Sequence, residues 1–364
     1  LIRRNFPDRA AARRRFRSDR LPYRMPSMLS PEKTAAARAF AELLVPGKRI
    51  CLTTHVNPDG DGLGSEVGLL RLLKARGVDA VITNPSSTPD RYGFILRGLE
   101  GVDKSGEAVK ELRKADLIVV LDIGDLGRLG SLGETVQGRG VPVACIDHHL
   151  SGGSLPAGPR YVDVEAAATG ELVHEIAVAN GWTLDADAAR ALYVAIFTDT
   201  GGFRFSNTRP RTLRTAAALL ETGFDTEQIY LELYASAPEG RIRLLVEALD
   251  TLVVEPESGL AWLTIPPGAL ERHGVSPDDL DGVVEYPRSI KGVRLALLFR
   301  EIAGGRVKVS FRSIGDVDVA ALARPFGGGG HAKASGASLA GSLAEVQATV
   351  LAAARTRLAS APVR

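Results

Sequence analysis

The sequence predicts an α/β protein: a doubly wound, mostly parallel sheet followed by a second, smaller α/β domain. Three observations carry that expectation. From residue 48 to about 149, short β-branched apolar runs alternate with helical segments, the order that builds a parallel sheet with helices on its faces. The runs are apolar nearly throughout, as strands covered on both faces must be. Beyond about residue 250 the pattern restarts, and 364 residues exceed one ordinary domain.

The chain opens on a basic head, with nine arginines between Ile2 and Arg24. Residues 1–28 are read as a disordered extension before a start at Met25 or Met28; the competing reading is an arm that grips nucleic-acid phosphates. Ser30 then suits an N-cap and Pro31 the first turn of an amphipathic helix. "KRICLTTH" (48–55) is a strand, and "GSEVGLLRLLKARG" (64–77) is a helix that Gly77 ends. "DAVITN" (79–84), "ADLIVVLDIG" (115–124) and "VPVACIDHH" (141–149) are strands, and helices dominate 169–235. Residues 29–235 form the first domain and 236–250 a linker. In the second domain, 251–364, the strands are "TLVVE", "LAWLTI", "VRLALLFRE" and "RVKVSFRS", and a last helix runs from about 341 to 358.

Composition excludes several classes. Hydrophobic residues make up 45% and charged residues 24%, as in an ordinary globular core. No run approaches the ~20 apolar residues needed to span a bilayer, so no membrane partner is expected and the protein is placed in the cytoplasm. Two cysteines, Cys51 and Cys145, fall in apolar strands; they are expected as buried thiols and exclude a disulfide scaffold.

Against that frame of apolar strands, the polar residues stand out by position. The first strand ends at His55 in "THVNPDGDGLGS", with Asp59 and Asp61 close behind. The 115–122 run ends at Asp122, and the 141–146 run at Asp147, His148 and His149; Asp199 follows "ALYVAIF". Open parallel sheets bind ligands at the carboxyl ends of their strands. An aspartate after a strand is often only a helix cap, but four such deliveries with three histidines exceed what capping needs. If Asp59, Asp61, Asp122 and Asp199 converge, their four charges lack nearby cations, and unpaired buried carboxylates cost several kcal/mol each. Two divalent ions balance them. Mixed imidazole and carboxylate donors favour manganese, iron, cobalt or zinc over magnesium. The H-x3-D-x-D spacing then splits one loop between two adjacent metals.

The residues also carry a resemblance. "HVNPDGDGLGS", "VVLDIGD", "CIDHHLSGG" and "FTDTGGFRFSNT" resemble, in order, the four motifs of the DHH phosphoesterase superfamily, and Asp147-His148-His149 is similar to its signature. "VKVSFRS" with "FGGGGHAKASG" resembles the accompanying DHHA1 domain. A free-standing two-domain chain of this size is most similar to the nanoRNase and pAp phosphatase group. The resemblance implies an active site in the cleft between the domains. It implies one metal on His55, Asp59 and Asp122 and another on Asp61, Asp122, His148 and Asp199, with Mn2+ as the expected ion. Asp122 would bridge, a hydroxide shared by the two cations would be the nucleophile, His149 would face the substrate phosphate, and Asp147 would orient a ligand. Arg312 and the run Gly328, Gly329, Gly330 and His331 would bind substrate, exposed glycine N–H groups being suited to phosphate; Lys333 is a weaker candidate. His174 and His273 lack partners at ligand spacing and are expected in structural or surface roles. Phe203 and Phe205 are expected in the core.

The implied activity is an exo-phosphodiesterase that trims short RNA or DNA oligonucleotides, including linear dinucleotides, to 5′-mononucleotides, with removal of the 3′-phosphate of pAp as a second activity. A homodimer is compatible with the sequence. Two alternatives stand beside it. An inorganic pyrophosphatase or polyphosphatase shares the first-domain motifs but has no use for "FGGGGH". A nucleic-acid-binding protein with structural metals uses the arginine head and leaves the metal ligands unexplained.

Overall fold

A computed structural model describes residues 29–138, 140–149, 154–235, 237–330 and 332–360; expectations for residues 1–28 and for His331 lie outside them. The chain divides into two units, with the boundary between Leu233 and Tyr234.

In the first unit, strands β1 (Arg49–Thr53), β2 (Asp79–Ile82), β3 (Leu117–Leu121), β4 (Val143–Asp147) and β5 (Arg160–Val162) form one sheet in the order β2-β1-β3-β4-β5. Every neighbouring pair is parallel. β3 explains why its sequence is apolar without alternation. Leu117, Val119 and Leu121 enter the core on one face, while Ile118 and Val120 enter the core on the other. Helices α1 (Pro31–Ala41), α2 (Gly60–Ala75), α3 (Thr169–Ala179) and α4 (Ala186–Asp199) contribute to the first of these cores. Cys51 and Cys145 are buried, free thiols on the opposite face; burial pushes Cys51 up to about 11 and Cys145 higher still, as it does for inert structural cysteines. The strand order reverses direction between β1 and β3, which creates a crevice at their carboxyl ends.

Helix α2 begins four residues earlier than its sequence suggests. Its N-cap is Asp59, whose side chain accepts from the N–H groups of Asp61 and Gly62, so Asp61 lies in the first helical turn and not in a loop. Glycines at positions 60, 64 and 68 discourage a helix on propensity alone. Packing overrides that cost, because a Cβ on Gly64 would sit 2.5 Å from the Ala191 carbonyl and one on Gly68 would sit 2.3 Å from Leu192. The spacing of four aligns them on one helix face, and this face lies directly on α4.

The second unit holds a mixed sheet in the order β10-β11-β9-β8-β7-β6, from β6 (Val253–Glu255), β7 (Leu260–Ile265), β8 (Leu295–Ile302), β9 (Arg306–Ser313), β10 (Gly329–Gly330) and β11 (Ala334–Ala340). Only β7 and β8 pair in parallel. The segment expected as a linker contains a helix, Glu239–Leu249, whose Leu244 and Ala248 are buried with Ala261 and Leu263. Its polar opening, "PEGRIR", hides the apolar repeat that follows. The C-terminal helix Leu343–Ser360 buries Val346, Val350 and Ala354.

The fold makes one sharp prediction. Gly64→Ala gains roughly 1 kcal/mol of helix propensity but drives a methyl into α4 backbone, an overpacking that costs about 1–3 kcal/mol or more. Thermal melts should show Gly64→Ala less stable than the parent and Gly106→Ala unchanged, because a Cβ on Gly106 meets nothing within 4 Å. Equal melting temperatures for the two variants would contradict the close α2–α4 contact.

Candidate metal centre

The crevice between β1 and β3 receives the expected residues. His55 and Asp59 follow β1, Asp122 follows β3, Asp147 ends β4 with His148 and His149 after it, and Asp199 ends α4. Three groups of side chains bring potential metal donors within 4.8 Å of one another: His55, Asp59 and Asp122; Asp61, His148 and Asp199; and Asp122, His148 and His149. All six expected metal ligands therefore converge, and His149 joins them.

Asp122 is at the centre. Its backbone adopts φ 54°, a left-handed conformation that costs free energy in any residue but glycine and persists where the surroundings enforce it. Its two oxygens face different groups. Oδ2 lies 3.7 Å from His55 Nε2, whereas Oδ1 lies 3.5 Å from His148 Nε2 and 3.4 Å from His149 Nδ1. His148 Nε2 is also 3.5 Å from Asp61 and 3.7 Å from Asp199.

Backbone carbonyls set the imidazoles. His55 Nδ1 contacts the Val56 carbonyl at 2.9 Å and His148 Nδ1 the Ala166 carbonyl at 3.3 Å. A carbonyl only accepts, so each Nδ1 is the donor and each Nε2 is turned toward the carboxylates. His55 Nε2 is buried with no hydrogen-bond partner among the described residues. Asp147, fully buried, accepts at Oδ1 from His149 Nδ1 (2.8 Å) and at Oδ2 from the Gly124 N–H (2.7 Å).

The electrostatics reflect a cation-poor cluster. Burial disfavours the charged form of His55, but the neighbouring carboxylates of Asp122 and Asp59 prevail and raise it to about 10. His148 is likewise raised, burial being outweighed by Asp122, Asp61 and Asp199. Burial and the charge of Asp122 push Asp61 well up, and burial lifts Asp199 to about 6. Asp122 goes down despite its burial, held by His148 and His55. The fit to metal rests on the donor set: oriented Nε2 atoms, one of them unpartnered, among carboxylates that otherwise have only protons to neutralise them.

Several contributors were not visible in the sequence. Asp61 accepts the N–H groups of Thr169 (2.7 Å) and Gly170 (3.0 Å) at the N-terminus of α3, and the Ser65 hydroxyl at 3.1 Å. Asn207 Nδ2 donates to the Ala167 carbonyl at 3.0 Å and approaches the Asp199 carboxylate at 3.4 Å. Backbone donors leave no side-chain signature; the "SNT" after "GGFRF" was the one available sign of Asn207.

Other expectations divide. Buried His174 is lowered to about 4 by burial, and His273 pairs with Glu247 at 2.7 Å; both sit outside the donor groups. Phe203 packs against Tyr193 and Phe197, but Phe205 is 48% exposed, which corrects its core assignment. In the second unit Arg312 Nε is bound to Glu285 at 3.1 Å, and Lys333 Nζ donates to the carbonyls of Gly315 and Val317. The glycine run is largely required by the chain itself. Gly327 has φ 70°, a Cβ on Gly328 would lie 2.3 Å from the Gly336 carbonyl, and one on Gly330 would lie 2.6 Å from the Ala334 carbonyl. Exposed Gly329 has no such constraint.

Comparison with known proteins agrees with this geometry. Residues 49–196 match the model of the DHH family, N-terminal domain, and residues 260–360 match that of the DHHA1 domain. The bifunctional oligoribonuclease and PAP phosphatase NrnA of Thermus thermophilus is 34% identical over 318 residues, 86% of this chain and 91% of the relative. Its Bacillus subtilis namesake is 30% identical over 302 residues, 80% of this chain and 89% of the relative. The crystal structure of an exopolyphosphatase-related protein from Bacteroides fragilis superposes with a TM-score of 0.83 at 27% identity, covering 89% of this chain and 96% of that one. Both matched models follow the order of the two units, and the aspartate–histidine cluster sits in the first: the chain belongs to the DHH family and carries its DHHA1 domain.

Proposed function

We propose that the chain is a two-metal phosphoesterase that hydrolyses short oligonucleotides and linear dinucleotides to 5′-mononucleotides and also dephosphorylates pAp. The observation that carries this reading is the division of Asp122, one oxygen toward His55 and the other toward His148. The names of the Thermus thermophilus and Bacillus subtilis relatives support the substrate class.

In this reading His55, Asp59 and Asp122 would hold one ion, and Asp61, Asp122, His148 and Asp199 the other; the mixed imidazole and carboxylate donors suit manganese. Bound there, divalent cations would lower the pKa of water and stabilise charge on the phosphoryl oxygens. Asp147 holds the His149 ring through Nδ1, so that Nε2 is the atom that would face a substrate phosphate, as a donor when the ring carries both protons. Water adds to phosphorus and the P–O3′ bond breaks. One product keeps the 5′-phosphate and the other gains a 3′-hydroxyl. In pAp the same P–O3′ bond breaks, releasing inorganic phosphate and AMP, so one centre serves both activities. In the second unit, Arg312, the Gly328–Gly330 run and His331 are the proposed substrate contacts.

The deciding experiment offers the manganese-loaded protein 5′-labelled RNA from two to twenty-four nucleotides, pAp and pyrophosphate. Preferred cleavage of the shortest RNAs, with AMP from pAp, is expected; turnover of pyrophosphate alone would replace this reading with the pyrophosphatase one.

Asp122→Ala should reduce hydrolysis of RNA and pAp alike to background while circular dichroism shows a folded chain. Asp147→Asn should leave the protein folded and lose roughly 10–100-fold in activity, as for a group that orients a ligand. Turnover near that of the parent in folded Asp122→Ala would exclude the centre.

Metal binding should depend on pH. His55 is held up to about 10 and so carries a proton at pH 7.5, which an incoming cation must displace. Affinity for manganese should therefore weaken as pH falls from 8.5 to 6.5. Calorimetry in two buffers of different ionisation enthalpy should register released protons; identical heats and a flat pH profile would contradict this ligand set.

Gly329→Ala isolates the substrate role of the glycine run. A Cβ there meets nothing within 4 Å, so stability should not change, and a rise in KM for dinucleotides at constant metal affinity is expected. An unchanged KM would remove Gly329 from the binding surface.

A further inference from the structure

One buried acid near the metal centre has no place in the chemistry above. Glu66, on α2, is fully buried, and its Oε1 has no hydrogen-bond partner among the described residues. Its Oε2 accepts from Asn84 Nδ2 at 2.8 Å. Burial pushes this carboxyl well above its usual range. An isolated buried carboxyl weakens a core, and an apolar side chain of similar size is normally neutral or better for stability. The position therefore serves something other than stability.

Its partner indicates what. Asn84, also fully buried, follows β2. Where the β1–β2 ladder ends, the Thr83 N–H still reaches the Leu52 carbonyl at 2.8 Å. At the next step the Asn84 side chain takes over: Oδ1 accepts the Thr54 N–H at 2.9 Å. The amide can do so only in one orientation, and the Glu66 oxygen selects it by demanding the NH2 end. Ser105 Oγ holds the Asn84 backbone N–H at 3.0 Å. The residue after Thr54, just past the end of β1, is His55, whose buried Nε2 lies 3.5 Å from Asp59 and 3.7 Å from Asp122.

We propose that Glu66 and Asn84 form a buried positioning relay that fixes the end of β1 and thereby aims His55 Nε2 into the metal centre. The proposal rests on the reading of His55 as a metal ligand. Neither residue touches metal or substrate. Each acts through the backbone of Thr54, and the cost of burying Glu66 is the cost of keeping Asn84 from rotating.

The test separates aim from stability. Manganese affinity of the full-length protein is measured by equilibrium dialysis for Glu66→Leu, Glu66→Gln, Asn84→Ala and His55→Ala, together with melting of each metal-free form. Glu66→Leu should melt at or above the parent yet bind manganese about 10–100-fold more weakly, the range found when groups supporting a metal ligand are removed. Asn84→Ala should weaken binding similarly, and it decides the matter if Glu66→Leu does not fold. Glu66→Gln keeps an acceptor for Asn84 and should restore affinity to near that of the parent. Folded Glu66→Leu and Asn84→Ala proteins that bind manganese as tightly as the parent overturn the relay while His55→Ala still weakens binding. Undiminished binding in His55→Ala overturns the reading of His55 as a ligand, and the relay with it.

Discussion

Mutual repulsion among four carboxylates is the constraint on which the first unit depends. At an effective dielectric of about 20, two like charges ~4 Å apart oppose each other by about 4 kcal/mol, and Asp59, Asp61, Asp122 and Asp199 meet in one crevice. The chain answers with directed donors. Asp59 is tied down by two N–H groups of its own helix, Asp61 by two from α3, and Asp147 by Gly124 and His149. Helix N-termini favour negative charge, and two of them, from α2 and α3, deliver or receive these aspartates. Asp122 has less backbone support, and its left-handed φ is the residual strain of carrying a carboxylate to the meeting point.

Close helix packing turns these local anchors into a single geometry. Gly60 allows Thr198 to approach within 2.4 Å of where a Cβ would stand, and Gly170 does the same for Ala195 at 2.5 Å. Helices α2, α3 and α4 thus meet through small residues beside Asp61 of α2 and Asp199 of α4, two of the candidate ligands. Larger residues at these positions would separate Asp61 from Asp199 before they disturbed either side chain directly.

The central strands of the first unit were legible because burial on two faces forces an unbroken apolar run, a pattern that needs no tertiary information; short β5, glycine-built β10 and small-residue β11 lack that run and were not expected. Metal candidates were legible because His55, Asp122 and His148 all lie just after such runs, and the switch-point rule places strand ends together. What stayed hidden required contacts across the chain. Gly60 looks like a loop residue until α4 is set against it. Asn84 and Glu66, 18 residues apart, are unremarkable in sequence and meet only because β2 returns beside β1. The glycines at 327–330 invite a ligand in sequence, yet a tight hairpin accounts for most of them.

The anchoring bonds also provide a way for the centre to keep its shape if a metal displaces its protons. The raised His55 and His148 set imidazolium charge beside the carboxylates, and a metal bound there would remove that neutralisation proton by proton. A scaffold built from those same ion pairs would shift as it loaded. Here the restraints come instead from atoms that no cation displaces. The Ala166 carbonyl sets His148, and the N–H groups of Thr169 and Gly170 set Asp61. That loop is itself pinned from behind, because fully buried Glu171 accepts the Ala167 N–H at 2.9 Å and pairs with Arg211 at 3.0 Å. Arg211 continues to Asp163 at 2.8 Å, and Lys33 of α1 pairs with the same carboxylate. Charge compensation for the scaffold is thus kept on the far side of the loop, away from the groups whose protons a metal must displace.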